Sequence, residues 1–121
     1  QACAAHWGRL VRPDGYGRWR DHHRRVDFFL EYDRGSEAPH RLAGKLTGYL
    51  QLAEASGILT PVLLWLPIPA RETTIRRALT GTSLQVATAT PDPDHSPAGP
   101  HWQPLHTSGT RFRLIDLPGA W

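Results

Sequence analysis

Methionine is absent from this chain of 121 residues, and cysteine and lysine occur once each, as Cys3 and Lys45. A single cysteine forbids an internal disulfide, and it forbids a cysteine-built zinc or iron–sulfur site held within one chain. It suits a reducing compartment, so the expected location is cytoplasmic. No apolar run approaches the roughly 18–20 residues that span a bilayer, and the longest, from Val62 to Ile68, is broken by Pro67. No membrane partner is expected. A Ser-His-Asp order, a Gly-rich phosphate loop and a dinucleotide fingerprint are also missing. With no methionine and Gln1 at the start, the chain reads as a piece of a longer protein, and Gln1 to Trp7 read as the end of a helix that begins upstream.

What is present describes one folded domain. Hydrophobic residues make up 40% and there are five tryptophans, enough for a real core at this size. The cations are 13 arginines and the one lysine, and the formal charge is +3 with a sequence pI of about 9.6. That balance permits a nucleic-acid partner without demanding one.

The pattern along the chain predicts a mixed α/β fold. Leu10 to Arg12 reads as a short strand running into a turn at Pro13-Asp14-Gly15. Tyr16 to Arg20 continues extended, and Asp21 to Arg24 is a polar hairpin tip. Val26 to Tyr32 is a strand with one apolar face (Val26, Phe28, Leu30, Tyr32) and one acidic face (Asp27, Glu31, Asp33, with Phe29 among them). A helix follows, capped by Ser36 and stopped near Gly57, with Leu42, Leu46, Tyr49, Leu50 and Ala53 as its core stripe and Lys45 beside that stripe. Leu59 to Leu66 is a central strand. Ala70 to Leu79 is a second helix with Arg71, Arg76 and Arg77 on its polar side. Leu84 to Thr90 is a strand, residues 91–110 form a Pro-rich loop, and Arg111 to Leu117 is a last strand. The order is β-β-β-α-β-α-β, a mixed β-sheet flanked by helices on both faces.

Several residues could carry chemistry. Magnesium-dependent phosphodiester hydrolysis needs hard oxygen ligands and a positive group near the phosphate. Glu31 and Asp33 are two apart on a strand, so they project together, about 6.5–7 Å apart at the backbone. Asp14 precedes a neighbouring strand, and Lys45 lies on the next helix. The expected metal ligands are Asp14, Glu31 and Asp33 around Mg²⁺ or Mn²⁺, and the expected catalytic set is Asp14, Glu31 and Lys45, with Lys45 positioning water. The arrangement resembles the PD-(D/E)xK, restriction-endonuclease-like superfamily. Pro13-Asp14 matches its first element and Glu31 its acidic residue. Asp33 stands where its lysine belongs, and Lys45 would be that lysine migrated onto the helix.

A closer resemblance rests on Cys3-Ala4-Ala5-His6-Trp7, Val11-Arg12-Pro13-Asp14-Gly15-Tyr16-Gly17, Phe28-Phe29-Leu30-Glu31-Tyr32-Asp33-Arg34-Gly35, Lys45-Leu46-Thr47-Gly48-Tyr49 and Pro61 to Pro67. These stretches resemble the replication-relaxation family of actinobacterial plasmids and mobile elements. The resemblance implies a part in plasmid replication or DNA relaxation. It also implies a winged-helix-like region upstream of this segment.

Three readings follow. The first is a metal-dependent DNA endonuclease. The second is a non-catalytic module that holds DNA, or a replication or transfer protein, through arginines such as Arg71, Arg76 and Arg77. The third is structural, with Glu31 and Asp33 paired to Arg34 or Arg41, Asp27 to Arg24 or Arg25, and Lys45 snorkelling past Tyr49 to solvent. His22-His23 reads as a solvated turn, and His95, His101 and His106 carry no assigned role.

Overall fold

The computed structural model describes residues 15–92 and 94–121. The helix end at 1–7, the strand at 10–12, Cys3 and the Pro13-Asp14 element lie outside the described residues. The chain runs β1 (Tyr16–Asp21), β2 (Arg24–Tyr32), α1 (Pro39–Ser56), β3 (Val62–Trp65), α2 (Pro69–Ala78), β4 (Val86–Ala89), β5 (Gln103–Pro104) and a 3-10 helix, Leu114–Gly119. The five strands among the described residues form one mixed sheet in the order β1-β2-β3-β4-β5. β2, β3 and β4 are parallel, while β1 and β5 pair antiparallel at the two edges.

Strand order explains where the helices lie. Right-handed crossovers that always step the same way along a sheet place every helix on one face. Accordingly α1 and α2 share a face, where Leu42 and Leu46 of α1 and Ile75 of α2 pack on Val62, Leu64, Leu66 and Val86. The expectation of α-helices on both faces is therefore corrected. The opposite face, built from Val26, Phe28, Leu30, Leu63, Trp65, Ala87 and Ala89, is covered by Trp102 and by Leu114, Ile115 and Leu117 of the 3-10 helix. Each such fully buried large side chain contributes about 1.5–3 kcal/mol relative to exposure. β3 is buried on both faces along its whole length, as its unbroken apolar run demands.

The helix boundaries follow from caps. Gly57 ends α1 at φ 73°, its N–H bonded to the Ala53 carbonyl, a left-handed stop that glycine tolerates best. Ser36 is not the cap expected of it. The helix begins at Pro39, a residue pre-set for the first turn, with Ala38 extended before it. A last strand over 111–117 is also replaced. Phe112 makes an isolated antiparallel bridge with Trp102, and Leu114–Gly119 turns as a 3-10 helix. A strand would send Leu114 and Ile115 to opposite faces, whereas the turn buries Leu114, Ile115 and Leu117 in one cluster. β5 lies inside the expected proline loop, and Pro104 is tolerated there because the strand is at an edge.

Gly15 leads into β1 and fixes its meeting with β2. Its φ is 83°, its carbonyl accepts from the Leu30 N–H at 2.6 Å, and a Cβ there would stand 3.0 Å from the Leu30 oxygen. Gly15→Ala is expected to lower stability by about 1–3 kcal/mol, read as an earlier urea midpoint with an unchanged slope.

Candidate functional site

Of the residues singled out for chemistry, Glu31 lies near the end of β2 and Asp33 just past it, and their neighbours decide what they can do. The strand alternation sends Glu31 and Asp33 to the face covered by α1 and α2. Tyr49 of α1 donates its hydroxyl to Glu31 Oε1 at 3.1 Å and stacks its ring 4.9 Å from Phe29. Burial pushes the Tyr49 hydroxyl pKa up, and the Glu31 charge and hydrogen bond push it further, so the phenol stays a donor.

Asp33 is more tightly held. Arg71 Nε donates to Asp33 Oδ2 at 2.7 Å and Arg71 Nη2 to Oδ1 at 2.8 Å, a bidentate pair whose side chains are only 12% and 4% exposed. Such fork-to-fork pairs are the strong ones. The hydrogen bond to Asp33 raises the Arg71 pKa in spite of burial. The same guanidinium reaches the Glu37 carbonyl at 2.5 Å.

Lys45 is exposed, at the flank of Leu42 and Leu46, the buried residues of α1. Its Nζ is 3.3 Å from Glu37 Oε1. The structure thus links Lys45, Glu37, Arg71 and Asp33 in a chain, while Glu31 belongs to Tyr49, one helical turn beyond Lys45. Glu31 and Asp33 share a face as expected, but their partners are Tyr49 and Arg71 in place of Arg34 or Arg41. Asp14 lies outside the described residues. Among those described, no three His, Cys, Asp or Glu side chains gather as metal ligands would. A shallow depression of about 450 Å³ opens beside the clamp, lined in part by Arg34, Pro67, Ile68 and Arg71.

Of the arginines expected to meet DNA, Arg71 is committed to Asp33 and Arg76 to the interior. Arg76 donates to Thr88 Oγ1 at 2.9 Å and to the carbonyls of Gln103, Pro104, Leu105 and Thr107. Arg77 is exposed. Beside Arg76 lies buried Glu72, which accepts two hydrogen bonds from Arg111, at 2.8 and 3.0 Å, and one from Thr88 at 2.7 Å. Burial alone would raise the Glu72 carboxyl pKa, but the bonds from Arg111 and Thr88 outweigh it and hold the pKa below its ordinary value. Burial lowers that of Arg76. Sequence reasoning missed this network. The signal was present, since Glu72, Ile75, Arg76 and Leu79 recur at helical spacing and therefore share the core stripe.

The replication-relaxation family model matches residues 1–63, just over half of the chain. The chain belongs to the replication-relaxation family. Among curated proteins and among solved structures it has no match. The replication-relaxation match spans the β1–β2 hairpin, Glu31, Asp33 and Lys45, and it ends within β3. The Arg71 half of the clamp and the Glu72–Arg76–Arg111 network lie beyond it. No helix among the described residues is long and apolar enough to cross a membrane.

Proposed function

We propose that this domain is a DNA-binding module of a plasmid or mobile-element replication or relaxation complex. The observation that carries the reading is the bidentate Asp33–Arg71 pair. A carboxylate engaged on both oxygens by a largely buried cation is neutralised inside the fold. With Glu31 bonded to Tyr49, the acidic face of β2 serves first to fasten the two helices to the sheet. Exposed arginines remain for a polyanion, in a family whose description is replication-relaxation.

A second reading, metal-dependent phosphodiester hydrolysis on a restriction-endonuclease-like core, has one specific observation in its favour. Gly15, the residue after Asp14, bonds through its carbonyl to Leu30 N–H, the residue before Glu31. Asp14 and Glu31 would hold Mg²⁺ or Mn²⁺ there, and the ion would act as a Lewis acid on the phosphate. Asp33 fits as a ligand only if Arg71 lets go, and Lys45 would have to leave Glu37.

Supercoiled plasmid separates the two. Retardation is expected to be the same in Mn²⁺ and in EDTA and to fade as salt rises, with no open-circular product. Open-circular DNA that requires Mn²⁺ and disappears in both Glu31→Ala and Lys45→Ala would establish the second reading instead.

A further inference from the structure

The β1–β2 hairpin extends past the rest of the sheet. β2 pairs with β3 over Phe29–Tyr32, so among the described residues Arg24 to Phe28 have β1 as their one strand partner. The result is a two-stranded arm with about 17 Å of overhang at the usual rise per residue. One face of it carries Trp19, Val26 and Phe28 and is covered by the 3-10 helix, where Arg24 also pairs with Asp116 at 2.9 Å.

The other face holds the charge. The register sets Arg18 opposite Asp27 and Arg20 opposite Arg25, with exposed His22 and His23 at the tip. Three guanidiniums share this face with one carboxylate. Asp27 binds Arg18 at 2.7 Å and Arg25 at 3.4 Å, and Arg20 has no ion pair or side-chain hydrogen bond among the described residues. Like charges directly opposite one another across a strand pair destabilise it. A fold optimised for stability alone would not align exposed Arg20 with exposed Arg25. A polyanion laid across both turns this repulsion into attraction.

Resting on the DNA-binding reading above, we propose that this arm is the DNA contact, with Arg20 and Arg25 on backbone phosphates of a duplex whose major groove receives the ribbon. The major groove of B-DNA admits a two-stranded β-ribbon, and strands serve as readers in several DNA-binding folds.

The test is duplex binding by fluorescence anisotropy over a salt series in EDTA. It compares wild type, Arg20→Ala/Arg25→Ala, and Arg41→Ala as a control for one charge lost from the exposed face of α1. Losing two phosphate contacts is expected to reduce the slope of log affinity against log salt by about 2, and to weaken binding at 0.1 M salt on the order of tenfold to a hundredfold. Arg41→Ala is expected to stay within about twofold of wild type. The double variant is expected to melt at or above the wild-type temperature, since the like-charged pair is gone, so that lost binding cannot be lost folding. The duplex is expected to compete better than either strand alone. A wild type that binds while the double variant binds equally well, or loses no more per charge than Arg41→Ala, overturns the arm and leaves the module. Preference for the single strand also overturns the arm. A wild type that ignores duplex DNA at low salt overturns both proposals.

Discussion

Replacing Glu72 by alanine is expected to cost about 3 kcal/mol of folding stability, measured as a shift of the urea midpoint. Glu72 is 5% exposed and answers two arginines at once, Arg111 through a bidentate pair and Arg76 through its field. Removing one partner of a buried ion pair leaves the other charge uncompensated, at about 3–5 kcal/mol. The low end applies because the Arg111 side chain is 38% exposed and can recover some hydration. The pH dependence has a definite sign. The Glu72 pKa is depressed on folding from an ordinary value of 4.5, so its contribution is full above that value and is lost as pH falls through the lower folded value. Acid titration of wild type is expected to show this extra loss below pH 4.5, and Glu72→Gln is expected to remove it.

Arg76→Met is expected to cost a similar amount, about 3 kcal/mol, by a different route. Methionine keeps much of the stem and its packing, so the loss is polar. One guanidinium donates to Thr88 and to four backbone carbonyls across Gln103 to Thr107. Each buried acceptor left without a donor costs about 1–3 kcal/mol. The total falls below the sum because the Pro104 carbonyl also accepts from Thr107 and the Thr107 carbonyl from Gln103. Arg76→Met is also expected to loosen β5 specifically, seen as faster amide exchange at Leu105, whose N–H bonds to Val86, before β2 and β3 are affected.

These two side chains also mark the limit of what the sequence discloses. The two faces of β2, the helix after it, its stop at Gly57 and the buried run of β3 all follow from periods of 2 and 3.6 and from glycine at a left-handed cap. Those patterns are local, and the structure keeps them except at their ends, where Tyr32 and Leu59 are exposed and β3 spans Val62–Trp65 in place of Leu59–Leu66. Residue type alone places Arg71 and Arg76 on a polar surface, although Arg76 shares the stripe of Ile75 and Leu79. What makes their burial affordable is a set of acceptors 12 to 38 positions away, which no window along the chain contains. The C-terminal segment failed as a strand for a related reason, because its apolar residues answer to a cluster on the far face of the sheet and not to a neighbouring strand. For the candidate site, the pairing of Glu31 and Asp33 on one face was legible from spacing alone. Their partners, Tyr49 and Arg71, were not, because these depend on how both crossover helices settle over the same face.

The claim that the acidic end of β2 fastens the fold while exposed arginines face DNA is tested most directly by the affinity of the intact domain for duplex DNA in EDTA as salt is raised. Tight binding at low salt is expected, weakening steadily as salt increases, with Glu31→Ala binding as wild type does. Binding that needs a divalent ion and collapses in Glu31→Ala would contradict it, and would return Glu31 to the role of metal ligand.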